Sequence, residues 1–378
     1  MARGSIQAFK TEDGTRYEII VDLGPDPTTG KRRQRRKRFK AKKEAQAALN
    51  AWMAEIDEGT AVDKSRQTVA ELMCFWLETY AQHNVRAGTL EGYGYTVNKH
   101  IIPGLGAIPV QKLTPEQLQA FYTTKLAAGC GPRTVQLCHL RIAQALKMAV
   151  KLGLVSRNVA NAVTPPRVEQ HEMRTWTADQ AQRFLAAASQ SPYGPIWMLS
   201  LATGMRRGET LGLRWQDVDL TANTVSVVQA VGMLRGSPKV RPLKTKSSRR
   251  TIAVPLPVIV ALREHRARQN ERRLALGVEW NDHDLVFAAS NGNPINPNNL
   301  TRDYDRWVRM AGVPRIRIHD QRHTHVTLAI QKGANIKAVS QRVGHAETSI
   351  TMNLYAHVLP EQHKEVSDRI GDALFGTA

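Results

Sequence analysis

Ala202-Thr203-Gly204-Met205-Arg206-Arg207-Gly208-Glu209-Thr210-Leu211, followed by Leu213-Arg214-Trp215, joins a helix expected from about Pro195 to Ala202 to another expected from Arg206 to Leu213. Three further stretches stand downstream. Leu243-Lys244-Thr245-Lys246-Ser247-Ser248-Arg249-Arg250-Thr251-Ile252 runs from a basic connection into a strand pattern. His319-Asp320-Gln321-Arg322-His323-Thr324 sets imidazoles on both sides of an arginine. Gly344-His345 is followed ten residues later by Tyr355, within Met352-Asn353-Leu354-Tyr355-Ala356-His357. Each stretch is short enough to arise by chance, whereas the ordered set is specific.

Around these stretches, residues 172–378 read as a mixed unit. A helix is expected over Thr177–Ser189, with Thr177 and Asp179 as caps. Strand patterns at Thr224–Val231 and Arg250–Val254 flank the basic connection. Helices dominate from Pro257 and break at Asn291-Gly292-Asn293-Pro294. Upstream, residues 66–162 look all-helical, and Pro165-Pro166 marks a stiff linker after them. Val69, Leu72, Met73, Trp76, Leu77 and Tyr80 follow helical spacing on one face expected to be buried. Thr114, Pro115 and Gln117 form a helix start, and Val135 through Ala149 carry another apolar stripe.

Residues 1–62 read as strand-rich. Ser5–Lys10 and Arg16–Asp22 alternate across Asp13-Gly14, a hairpin signal, and a third strand ends near Phe39. A helix with Ala41, Ala45, Leu49, Trp52 and Ile56 at helical spacing follows. Between Lys31 and Lys43, ten of thirteen residues are Lys or Arg and none is acidic. Because this run lies inside a patterned unit rather than in a tail, it reads as a polyanion-binding strand, with Lys31, Arg32, Arg33, Arg35, Arg36, Lys37, Arg38 and Lys40 as candidates.

Composition agrees. Lys and Arg number 53 against 33 Asp and Glu, a net charge of +20, which makes a polyanion the leading partner and leaves a nucleic-acid binder or a basic enzyme. Hydrophobic residues at 42% allow real cores. The longest apolar run, Thr251 to Leu262, contains Pro255 and Pro257 and is too short to span a bilayer. No apolar segment follows Met1, and Cys74, Cys130 and Cys138 show no metal-ligand spacing, so a cytoplasmic protein with reduced thiols is expected.

The ordered set resembles the tyrosine recombinase (phage integrase) family, whose pattern is a Thr-Gly-x-Arg box, a Lys on a strand turn, His-x-x-Arg, Gly-His and a Tyr nucleophile. Gln321 and Val343 stand where that family usually has Leu. The resemblance covers essentially the whole chain and implies a three-domain integrase of a phage or integrative mobile element. Its expected fold is multidomain. Residues 1–62 would be a small α+β arm-type DNA-binding domain of three strands and a helix, and 66–162 an all-α core-site domain. Residues 172–378 would form a mainly α catalytic domain with a small antiparallel sheet.

The resemblance also implies roles. Arg206 and Arg322 would clamp the nonbridging phosphate oxygens, where charge develops during attack, without a metal or other cofactor. Tyr355 would be the nucleophile, forming a covalent 3′-phosphotyrosyl link, its phenol activated by the cationic site. His319 would move a proton, and His345 would donate to a phosphate oxygen. Lys244 would protonate the leaving 5′-oxygen, with Lys246 as its rival. Glu209 would orient the active-site groups from behind. Tyr193 and Tyr304 read as packing residues. A zinc site from His319, His323 and His325 is disfavoured, because no His-Glu-x-x-His pattern accompanies them.

The implied partners are double-stranded DNA attachment sites of core and arm type, a homotetramer on DNA, a directionality factor and a DNA-bending protein. A non-cutting DNA-binding regulator or architectural protein and a type IB topoisomerase-like enzyme are the alternatives. The complete Arg-Lys-His-Arg-His-Tyr set argues against the first, and the separate basic N-terminal unit against the second. At the C-terminus, Val366, Ile370, Ala373 and Leu374 share a helical face expected either to close its own domain or to dock on a neighbouring subunit.

Overall fold

In β2 (Gly14–Pro25), alternation buries Ile19 and Val21 completely and turns Glu18 and Ile20 the other way. A computed structural model of the chain describes residues 4–12, 14–25, 32–57, 65–169, 173–243, 248–344, 352 and 370–376. It separates into two units, Met1–Glu169 and Gln170–Ala378. In the first, β1 (Gly4–Thr11), β2 and β3 (Arg32–Phe39) form an antiparallel sheet in that order. The β1–β2 hairpin closes at Gly14, whose φ of +114° suits glycine alone. The sheet's inner face packs Ile19 and Val21 against Ala45, Leu49 and Trp52 of α1 (Lys42–Asp57).

A helical segment follows: α2 (Val69–Phe75), α3 (Gln82–Asn84), α4 (Ala87–Thr96), α5 (Ile102–Leu105), α6 (Pro115–Ala127) and α7 (Pro132–Lys151). Thr68 with Glu71 and Thr114 with Gln117 form reciprocal capping boxes that start α2 and α6. The face predicted from Val69 to Tyr80 needs one correction. Trp76 is buried but Tyr80 is 50% exposed, and Ala81 takes the inward position. The cause is local: Trp76–Ala81 is a π-helical turn, whose wider spacing rotates the buried stripe by one residue.

The second unit contains α8 (Ala178–Ala188), α9 (Gly194–Thr203), α10 (Arg207–Leu211), β4 (Val218–Asp219), β5 (Thr224–Val227), β6 (Gln229–Leu234), β7 (Ser237–Pro242) and β8 (Arg250–Ala253). Further helices follow, among them α11 (Leu256–Leu276), α12 (Pro297–Met310), α13 (Asp320–Gln331) and α14 (Ile336–Val343). Its core centres on Trp176, Phe184, Trp197 and Tyr304, with ring centroids 4.8–6.1 Å apart. A smaller cluster of Val326, Ile330, Val339 and Val343 joins α13 to α14.

The single strand expected over Thr224–Val231 is two. β5 pairs with β4 and β8, whereas β6 pairs with β7 in a separate hairpin, so the basic connection is itself a β-ribbon. Its turn, Arg235-Gly236, has both residues at positive φ without an Asn-Gly or Asp-Gly signal, and Pro238 and Pro242 obscure the strand pattern. Residues 370–375 are helical, with Ile370, Leu374 and Phe375 exposed, while Val366 lies outside the described residues. Among the described residues no helix is long and apolar enough to cross a membrane.

Candidate active site

Thr203-Gly204 ends α9 with a left-handed residue. Gly204 has φ +65°, its N–H donates to Ser200 O at 2.9 Å, and a Cβ there would lie 2.8 Å from His325 Cδ2. The turn delivers Arg206 as the N-cap of α10. One turn on, Glu209 is 3% exposed. Its carboxylate accepts from Arg206 N at 2.9 Å and from Arg206 Nη1 at 2.8 Å, and Arg250 Nη2 donates to it at 2.9 Å. Burial opposes ionisation of Glu209, but the hydrogen bond and charge of Arg250, with help from Arg206, hold its pKa below the usual carboxylate value. The carboxylate therefore aims one guanidinium and anchors a second.

Arg322, in the first turn of α13, is 3% exposed and its Nη1 donates to Gly204 O at 2.9 Å. Arg206 Nη2 donates to Gly344 O at 3.2 Å, on the left-handed residue that ends α14. Each arginine is thus held by the carbonyl of a different left-handed glycine, Arg322 by Gly204 and Arg206 by Gly344. His319 caps α13 and stays exposed. Lost hydration and then the charges of Arg322 and Arg206 hold its imidazole below the ordinary histidine range. Behind it, His323 makes an edge contact with the His319 ring at 5.4 Å, and burial pushes its pKa down to about 4.

The structure brings together Arg206, Glu209, Arg322 and His319. Lys244, Lys246, His345, Tyr355 and Lys31 lie outside the described residues. Tyr304 is buried in the aromatic core, where burial raises its phenol pKa, and Tyr193 is half-buried at the start of α9. No cluster of three His, Cys, Asp or Glu able to hold a metal ion occurs among the described residues. His325 is engaged at both ring nitrogens, with Leu201 O at 2.9 Å and Arg342 Nε at 3.3 Å.

Sequence reasoning missed Arg250. It opens the expected strand Arg250–Val254 beside the basic connection, and the sequence assigns it no role, yet its side chain is 7% exposed and bonds Glu209, Ser248 O and Arg342 O. The available signal was alternation: Arg250 shares the inward face of β8 with Ile252, while Thr251 and Ala253 are exposed. The sequence offers His325 only as a zinc ligand and Arg342 in no role at all, because their partners are backbone carbonyls remote in sequence.

Two guanidiniums whose charges reach one imidazole, one of them bound to a buried carboxylate, in a mainly helical domain are able to bind an anionic group. Residues 174–362 match the phage integrase family, residues 68–126 the N-terminal SAM-like domain of phage integrases, and residues 8–56 an arm DNA-binding domain. The chain belongs to the phage integrase (tyrosine recombinase) family and is a site-specific DNA recombinase.

Among its relatives, a tyrosine recombinase XerC-like protein of Caldanaerobacter subterraneus subsp. tengcongensis is 29% identical, over 94% of this chain and 96% of its own length. The ICEBs1 integrase of Bacillus subtilis is 25% identical, over 97% and 99%. The Tn1549 transposon integrase in complex with a circular intermediate DNA shares the fold with a TM-score of 0.67 at 19% identity, covering 80% of this chain and 99% of that one. A lambda integrase tetramer bound to a Holliday junction gives 0.57 at 17%, over 92% and 94%.

Proposed function

We propose that this integrase cuts and rejoins DNA through Tyr355, with Arg206 and Arg322 binding the scissile phosphate. The observation that carries the reading is that Arg322 bonds Gly204 O and Arg206 bonds Gly344 O, one residue before His345, with the charges of both arginines reaching the His319 imidazole. Attack by the Tyr355 Oη on phosphorus forms the 3′-phosphotyrosyl bond and breaks the bond to the 5′-oxygen. The phenol passes its proton to His319, and the leaving 5′-oxygen takes one from Lys244. His319 and His345 complete the proton handling and the hydrogen bonds to phosphate. Charge is neutralised by guanidiniums, and the bond energy is kept in the ester for the reverse step, so the scheme draws on neither a metal ion nor a high-energy cofactor.

The division of labour assigns arm-site binding to residues 1–62, core-site binding to 66–162 and chemistry to 172–378. The matching arm DNA-binding and SAM-like domains support it. The tetramer-bound relative supports a tetramer on core and arm attachment sites, and the bacterial relatives support action in a bacterial cytoplasm to integrate or excise a mobile element. A directionality factor and a DNA-bending protein fit a two-site binder.

The test is a suicide duplex, nicked near the cleavage position, carrying the junction between the element and host DNA. Wild type should trap a covalent protein–DNA adduct. Tyr355→Phe removes one oxygen and should bind equally well without forming any adduct. An adduct formed by the Phe variant would overturn the assignment.

A further inference from the structure

The least expected feature of the second unit is a two-residue device behind the site. His325 lies on α13 and Arg342 on the last turn of α14. His325 Nδ1 lies 2.9 Å from Leu201 O; a carbonyl can only accept, so this nitrogen carries the proton and Nε2 is left as an acceptor. Arg342 Nε donates to that Nε2 at 3.3 Å, while its Nη2 donates to Ala202 O at 3.0 Å and to Ala253 O at 2.9 Å. The backbone of Arg342 takes part as well, its carbonyl accepting from Arg250 Nε at 2.6 Å. The pair therefore ties together the end of α9, the end of β8, α13 and α14.

The carbonyls it holds, Leu201 and Ala202, belong to the last turn before Gly204. His325 Cδ2 stands 2.8 Å from where a Gly204 Cβ would be, so the imidazole packs directly on the glycine turn. From that turn Gly204 O receives Arg322, and two residues later Arg206 begins α10 and reaches Gly344 O, two residues beyond Arg342. A shift of this turn moves both arginines together.

We propose that His325 and Arg342 are positioning residues that set Arg206 and Arg322 at the spacing the phosphate requires. The role rests on the recombinase reading above. A neutral imidazole is needed, because its protonated form offers Arg342 a like charge and no acceptor. Burial, followed by the charge of Arg342, pushes the His325 pKa down to about 4, which keeps that form neutral in use.

The experiment uses the full chain and the nicked junction duplex. Arg342→Lys keeps the charge but loses the fork in which Nε and Nη2 donate side by side, and His325→Phe keeps bulk without nitrogen. Each should slow adduct formation on the order of 100-fold, the effect of an ångström-scale misplacement, while DNA affinity and folded fraction stay near wild type. His325→Gln, with an amide donor and acceptor, should restore most of the rate. The decisive comparison adds Arg342→Lys to Arg206→Ala: with Arg206 already absent, the second change should cost less than about threefold. A methylphosphonate at the scissile position, which carries no charge to clamp, should likewise shrink the Arg342→Lys defect.

An undiminished loss in the Arg206→Ala background would overturn the positioning role. Loss of adduct in proportion to loss of folded protein or of DNA affinity would do the same. A wild type that cuts while these variants behave so refutes only this role. A wild type that forms no adduct overturns the recombinase reading, and this role with it.

Discussion

At the scale of the residue, the site depends on one buried carboxylate serving two cations. Glu209 is 3% exposed, and Arg250 beside it 7%, so neither charge is well hydrated and each is stabilised chiefly by the other. Glu209→Gln keeps the shape and removes the charge. It should cost about 3–5 kcal/mol, the usual penalty for breaking a buried pair, and lower the unfolding midpoint on the order of 10 °C at neutral pH. The sign with pH follows from a folded-state pKa below the ordinary 4.5. The contribution of Glu209 is full above that ordinary value and is lost as pH falls through the lower folded value. The gap between wild type and variant, measured by thermal unfolding, should therefore close in acid. A gap that stayed constant to about pH 3, below the ordinary carboxylate range, would show that charge is not what Glu209 contributes.

At the scale of the element, β3 divides its own basic run. Register sets Arg36 opposite Ile20 and Arg38 opposite Glu18 on the open face of the sheet, and Arg35 opposite Val21 and Lys37 opposite Ile19 on the face that meets α1. Arg35, half-buried, lies over the Trp52 ring at 4.1 Å and so helps close the small core, whereas Lys37 lies over Phe39 at 5.1 Å and stays exposed. Arg38 stacks on Phe9 at 5.0 Å, and Arg32 bonds Asp22. Neutralising Arg36 and Arg38 should flatten the salt dependence of arm-site binding by about two counterions, near 0.9 for each phosphate no longer neutralised. Neutralising Arg35 should lower the melting temperature more than the salt slope. Binding measured from low to high salt separates Arg35 from Arg36 and Arg38, and an equal change of slope per charge would refute the assignment by face. The same alternation was legible beforehand in Ile19 and Val21. What was not legible is which arginines it would turn inward, because a run of one residue type carries no periodicity of its own.

At the scale of the molecule, the terminal helix over residues 370–375 leaves Ile370, Leu374 and Phe375 exposed at 52, 69 and 84%. It follows Tyr355 closely in sequence, so a neighbouring subunit that covered this face would couple assembly to the position of the nucleophile. Deleting residues 362–378 should leave a folded chain that binds one core site with nearly normal affinity and fails to assemble further, as sedimentation with and without DNA would show. Loss of the cooperative melting transition would instead assign the helix to its own domain.

The order of the chemical groups, the capping boxes at Thr68, Thr114 and Thr177, the three-stranded start and the change of character near Pro165-Pro166 are all written into the chain locally. A hydroxyl three residues from an amide acceptor, or an apolar residue at every second position, acts over one turn or one strand. Packing in three dimensions was needed to bury Arg250 against Glu209, to set His325 and Arg342 on the turn at Gly204, and to fold the basic connection into a ribbon. Glu209 and Arg250 are 41 residues apart, and Arg342 and Ala202 are 140 apart. Their pairing depends on desolvation and on carbonyls at helix ends needing donors, conditions that arise only once α9, β8, α13 and α14 have packed together.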